Sequence, residues 1–288
     1  MLDLPVRPPA HAGTFYPADP EELVKVIEWA FLHPLGPGRL PDGHGTERLS
    51  IGYIVPHAGY IYSGPVAAHA YYMLSRERPP ETVVIIGPNH NGVGHPAAVY
   101  RGKAWRTPLG EVAVDNEFSQ ALVEESAYLA FDNDAHYYEH SLEVQVPFLQ
   151  YILRDVDFRI AAISVYYQSP RVARDIAGAI LRAAEKTGRD IVVIGSTDFN
   201  HYEPHDVTVE KDMEAINAIL ELDEEKLFRV IEEKNITMCG PISAATLIVI
   251  AKMLGAPKPR LLKHATSGDV TGEKSWVVGY ASIMFPRA

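Results

Sequence analysis

Cysteine is almost missing from this chain: one residue, Cys239, in 288. A single thiol makes no internal disulfide, which excludes a disulfide-stapled scaffold and leaves a core thiol, a metal ligand, a reactive thiol or an intermolecular bridge. Positive charge is also short, with 26 Lys and Arg against 37 Asp and Glu and a formal net charge of -11. No basic cluster with interleaved aromatics is found, so nucleic acid is not an expected partner. No apolar run approaches the length that spans a bilayer, so no membrane segment is expected. The start, MLDLPVRPPAHAG, lacks the charged-then-apolar pattern of a signal peptide, and the expected location is the cytoplasm. There is no GxGxxG, P-loop, GxSxG or HExxH, so nucleotide binding and the common hydrolase signatures have no support.

What is present is an alternation of strands and helices over a length that suits one α/β domain, residues 1–288. ADPEELVKVIEWAFL reads as a helix with Asp19 as N-cap and Pro20 in its first position. LSIGYIVPHAGY supplies a strand ending at Pro56-His57, and SGPVAAHAYYML the next helix, with Ser63 or Gly64 near its cap. TVVIIGPNHNG is a continuous apolar run of the kind buried on both faces of a parallel sheet. A strand pair around TPLG, a helix near residues 116–126, and a helix from His140 follow, the last kinked or split by Pro147. FRIAAISVYY and DIVVIGSTDFNH are strands flanking the helix of PRVARDIAGAILRAAEK, residues 207–233 are largely helical, and SWVVGYASIMF is a final strand. The expected fold is α/β, a central mixed or mostly parallel sheet covered by helices.

Three strands end in polar residues of one kind: His57, His90, and the pair Asp198 and His201. In open α/β sheets the ligand crevice lies outside the carboxyl ends of the strands, so these residues are expected to meet. Two neutral imidazoles need one more donor to hold a metal ion with an open position. Cys239 precedes Gly240-Pro241 at the start of a helix, where the free N–H groups and the helix dipole are expected to stabilise a thiolate. In DNDAHYYEHSLEVQVPF, His140 and Glu143 are expected to line the crevice, with His136 on its approach. His95, His264 and Asp269 are further candidates without a motif. HYEPH, His201 to His205, is a loop because of Pro204. His69 reads as a satisfied helix residue, and His11, His33 and His44 as surface residues.

The segments AGTFYP, PHAGYIYSG, GPNHNG, WRTPLGEV, EHSLEVQVPFL, STDFNHY, CGPISA and SGDVTGEKSWVVGYAS, in that order, resemble the Memo family over nearly the whole chain. Prokaryotic members are similar to component B of the AmmeMemoRadiSam system, which implies a radical-SAM protein and an AMMECR-type protein as functional neighbours. The resemblance also implies the fold of class III extradiol ring-cleavage dioxygenases, which hold non-haem iron at the end of an α/β sheet. Carried over by motif, His57 and His90 match two histidine ligands and Cys239 the third ligand position. Asp198 and His201 match supporting or acid-base positions, and His140 falls in the same cleft. The dioxygenases have a carboxylate where this chain has Cys239; a thiolate is softer and shifts the preference among copper, zinc and iron, so ring cleavage does not follow from the fold. Family members are described both as copper- or iron-binding redox proteins and, among animal members, as adaptors for phosphorylated peptides.

The leading expectation is therefore a dioxygenase-like oxidoreductase holding iron or copper on His57, His90 and Cys239. In it His201, oriented by Asp198, handles protons at an unknown small-molecule or peptide ligand. Its rivals are a non-catalytic binding or scaffold protein with the same cleft, and a hydrolytic site using zinc or a Cys239-His pair.

Overall fold

The computed structural model describes residues 4–288. Its centre is four parallel strands in the order Arg159–Val165, Thr82–Pro88, Ile191–Ser196, Ser50–Val55. These are the continuous apolar runs of the sequence, and they are buried along nearly their whole length. Successive residues serve opposite layers. Ile54, Val84, Ile163 and Val193 pack against the helices Asn116–Glu124, Pro170–Thr187 and Pro241–Met253. Tyr53, Val83, Ile85 and Ile194 face Pro20–Leu32, Tyr60–Ser75 and Gln145–Ile152.

Both flanks of the sheet turn antiparallel, so the sheet is mixed. Val277–Pro286 runs against Ser50–Val55 and itself carries Arg260–Thr266 and the short strand His201–Glu203. On the other side Gly110–Val114 joins Arg159–Val165 in parallel and forms a hairpin with Ala104–Thr107, the strand pair expected around TPLG. Among the described residues no helix is long and apolar enough to cross a membrane.

The helix starts follow the cap chemistry. Asp19 accepts from the Glu21 and Glu22 N–H groups ahead of Pro20, and Ser169 accepts from Val172 ahead of Pro170. One boundary differs from expectation and another settles an expected alternative. The helix over SGPVAAHAYYML begins earlier, at Tyr60, with Pro65 inside it. Its first turn is fixed from outside, by Tyr60 N–H on the Phe15 carbonyl and Tyr60 OH on the Val144 carbonyl. The helix from His140 is split at Val144 into His140–Glu143 and Gln145–Ile152, which leaves Pro147 in a first turn where its missing N–H costs nothing.

One contact places the cysteine. The helix Pro241–Met253 lies so close to the sheet that a Cβ on Gly195 would stand 2.9 Å from Leu247 Cδ1, and one on Gly240 2.7 Å from the Ser196 carbonyl oxygen. Ser243 Oγ is 3.0 Å from both the Ile86 and Ser196 carbonyl oxygens, which pins the helix start over two strand ends. We expect Gly195→Ala to lower stability by about 1–3 kcal/mol through overpacking, read as a lower urea midpoint; an unchanged midpoint would refute the tight contact.

Candidate metal centre

The strand ends do converge. His57 follows Ser50–Val55, His90 follows Thr82–Pro88, and Asp198 follows Ile191–Ser196, while Cys239 enters from the start of the pinned helix. Together with His140, His201 and Phe15 they line an open cleft of about 480 Å³. Side-chain donor atoms of His57, His90 and Cys239 all lie within 4.8 Å of one another. His57 Nε2 is 3.2 Å from Cys239 Sγ. Nitrogen and sulfur donors at tetrahedral metal-ligand distances sit about 3.5 Å apart, so a metal ion fits with only small side-chain adjustments.

Hydrogen bonds fix the tautomers of both histidines. Ser196 Oγ gives its one proton to the Ser141 carbonyl at 2.7 Å and accepts from Gln145 Nε2 at 2.9 Å. Its contact with His57 Nδ1, at 2.9 Å, must therefore be a bond donated by the imidazole. That leaves the His57 Nε2 lone pair facing the cleft. His90 Nδ1 lies 2.8 Å from Glu139 Oε1, and the His90 backbone N–H donates to Glu139 Oε2 at 2.6 Å. The carboxylate holds the proton on Nδ1 and leaves Nε2 free, the arrangement typical of metal-ligating histidines.

Burial alone would raise the Glu139 carboxyl, but His90, the His140 charge and the Ser141 N–H outweigh it and bring it down to about 2. Glu139, His90 and His140 form a second group of potential donors. Glu139 already accepts from the His90, Ser141 and Asn91 N–H groups, which suits it to support His90 rather than bind an ion itself.

Burial holds the His57 imidazole neutral, well below its ordinary range, and brings His140 down to about 3. The His140 ring lies between His90 and Phe15, with centroids 4.5 Å from each. Burial raises the Asp198 carboxyl, which accepts the His57 backbone N–H at 2.8 Å.

Several expected roles need correcting. Burial, followed by the Asp198 charge, pushes the Cys239 thiol up, so in the metal-free chain it is a protonated thiol and not a thiolate. The adjacent helix does not counter this, because the Ile242 N–H goes to Gln168 Oε1 and the N–H reaching Sγ is that of Asp198, at 3.3 Å. His201 is oriented by Thr237, whose carbonyl is 2.7 Å from His201 Nδ1, and not by Asp198. Glu143 does not line the crevice: it is buried against Arg7 at 2.7 Å and accepts from Tyr16 and from the Ala10 and His11 N–H groups. His136 is enclosed rather than on the approach, with Nε2 on the Ala98 carbonyl. His95 lines a separate apolar hollow with Tyr128 and Tyr166, His264 pairs with Asp212, and Asp269 closes a capping box with Thr266. His69 is satisfied by the Leu35 carbonyl, as expected.

Sequence reasoning overlooked Glu139, Ser196 as a partner of His57, Gln145, Phe15 and Thr237. Only Glu139 left a signal, as the acidic residue at the expected helix start directly before His140. His11, assigned to the surface, packs edge-on against His140 at 5.7 Å.

The fold and cleft define an α/β protein with a histidine, histidine and cysteine donor set at its strand ends. Residues 7–284 match the family model described as Memo-like protein, and the chain belongs to that family. It is 55% identical over 282 residues to a MEMO1 family protein of Ignicoccus hospitalis, covering 98% of this chain and 99% of that one. Against a MEMO1 family protein of Sulfolobus acidocaldarius it is 52% identical over 283 residues, covering 97% and 99%. The crystal structure of an uncharacterized protein from Escherichia coli K12 shares the fold, with TM-score 0.54 and 14% identity, over 83% of this chain and 100% of that one. The expected fold class is thus the observed one.

His136 gives a pH test outside the donor set. Burial brings its imidazole down to about 3 from 6.5. As pH falls below 6.5 the unfolded chain takes up a proton that the folded chain refuses, so this residue costs stability progressively toward acid. Stability of His136→Phe relative to wild type should therefore rise by about 2 kcal/mol between pH 7 and pH 5. Urea denaturation of both proteins at the two pH values checks this; a pH-independent difference would contradict it.

Proposed function

We propose that the cleft holds a redox-active metal ion, iron or copper, on His57, His90 and Cys239, and that the protein is a dioxygenase-like oxidoreductase acting on a small molecule. The observation that carries this reading is the pair of independent hydrogen-bond systems, Ser196 behind His57 and Glu139 behind His90. Both commit Nδ1 as a donor and leave Nε2 free, that of His57 lying 3.2 Å from the Cys239 sulfur. A set of two nitrogens and one sulfur suits iron, copper and zinc. The bound ion would supply electron transfer or polarisation of a ligand at an open position.

The chain's own residues divide the remaining work. On binding a cation Cys239 would release its thiol proton to solvent. His201, with Nδ1 held by the Thr237 carbonyl, keeps Nε2 toward the cleft for moving a proton at the ligand. Asp198 fixes the His57 backbone, and His140 with Phe15 forms one wall that keeps bulk water from that side. In this reading the protein works in the cytoplasm, where its thiol stays reduced, with a radical-SAM protein and an AMMECR-type protein as functional neighbours.

A binding or scaffold protein without chemistry is the second reading. Tyr202, which lines the cleft and is 65% exposed, favours it as ready contact surface. It expects a partner complex that survives Cys239→Ser.

Metal content by mass spectrometry, on protein purified without oxygen, tests the first reading. We expect about one iron or copper per chain in the wild type and at least a tenfold loss in His57→Ala, His90→Ala and Cys239→Ser. Zinc in place of both would favour a hydrolytic site. A wild type that takes up no metal even after reconstitution would leave the binding protein.

A further inference from the structure

The turn that carries Cys239 is gripped from two sides. On one side are the residues after Ile191–Ser196: Gly240 N–H donates to Thr197 Oγ1 at 2.9 Å, and the Asp198 N–H reaches Sγ. On the other side is a single side chain, Gln168, in the loop between Arg159–Val165 and Pro170–Thr187. Its Nε2 donates to the Cys239 carbonyl at 2.8 Å, and its Oε1 accepts the Ile242 N–H at 3.1 Å. A carbonyl only accepts and a backbone N–H only donates, so these two bonds set the orientation of the amide. Cys239 and Ile242 lie on either side of Gly240-Pro241, and the amide bridges the turn like a clasp.

We propose that Gln168 is a positioning residue for the metal site, holding the Cys239 backbone so that Sγ stays within reach of the His57 and His90 nitrogens. This inference rests on the reading of those three residues as ligands. The rival explanation is that Gln168 only caps the helix Pro241–Met253 by satisfying the Ile242 N–H. The two differ in which half of the amide matters. The Nε2 bond to the Cys239 carbonyl positions the ligand, whereas the Oε1 bond from Ile242 caps the helix. Glutamate separates them: Gln168→Glu keeps an oxygen for the Ile242 N–H, at a helix end where negative charge is favourable, and replaces the donor to the Cys239 carbonyl by an acceptor that repels it. Gln168→Leu loses both.

The probe is cobalt(II), titrated without oxygen into wild type, Gln168→Glu, Gln168→Leu and Cys239→Ser. The thiolate-to-cobalt charge-transfer band reports sulfur ligation, and thermal unfolding of the metal-free proteins reports the helix cap. We expect the wild type to show the band and Cys239→Ser to lack it. Both Gln168 variants should bind cobalt about 10- to 100-fold more weakly, with a weakened or shifted band. Gln168→Leu, which loses the cap, should lose more thermal stability than Gln168→Glu, which keeps it. If Gln168→Glu matches the wild type in affinity and band while Gln168→Leu does not, Gln168 is a cap and the inference is overturned. It is also overturned if both variants bind and absorb like the wild type. A wild type that lacks the thiolate band removes Cys239 as a ligand and overturns the reading on which the inference rests, an outcome distinct from a band that ignores Gln168.

Discussion

Two glycines let one helix lie against the sheet, and the site hangs from that contact. At Gly195 and Gly52 any side chain would collide with Leu247 or with neighbouring backbone, so only bare backbone admits the helix Pro241–Met253 at this depth. The buried layers set the direction of approach, and Ser243 sets the register by meeting the Ile86 and Ser196 carbonyls. Cys239 is then delivered to the ends of the same strands that deliver the histidines. Side chains from distant parts of the chain meet because parallel strands share one carboxyl edge.

Within that frame, a few protons decide what the cleft can do. Ser196 has one hydrogen and commits it to the Ser141 carbonyl, so it serves His57 only as an acceptor. Glu139 is kept ionised in a buried position by the N–H groups around it, and serves His90 in the same way. The result is a metal-free site in which burial keeps His57 neutral, hydrogen bonds aim both imidazoles, and burial keeps the thiol protonated. Desolvation, ordinarily a penalty for a charged ligand, here preserves the His57 lone pair.

The scaffold was largely legible because strands buried on both faces leave unbroken apolar runs and helix starts leave Asp-Pro and Ser-Pro signatures. Arg260–Thr266 was not, since it is only partly buried and LLKHA shows no clean alternation. That His57, His90 and Cys239 meet in one cleft was legible because each stands near a strand end or helix start, within two residues of Gly or Pro. Their supporting partners were hidden by distance in the chain. Asp198 looked like the partner of His201 because they stand three positions apart. The imidazole instead finds the Thr237 carbonyl, 36 residues away. Likewise, a cysteine before a helix suggests a stabilised thiolate, but the charge balance depends on Asp198 and on burial, which no local pattern records.

The long separations carry a consequence for the order of assembly. His57 and Cys239 are 182 positions apart, and the cleft wall also takes Phe15 from near the beginning and Val278 from near the end. A chain leaving the ribosome amino end first displays its histidines long before the sulfur exists. The three side chains, and the chamber around them, can come together only after the chain has been made through Cys239 and Val278. Until then, any ion met by the early histidines would lack the sulfur of the proposed site, so the proposed coordination could form only after Cys239 has been made.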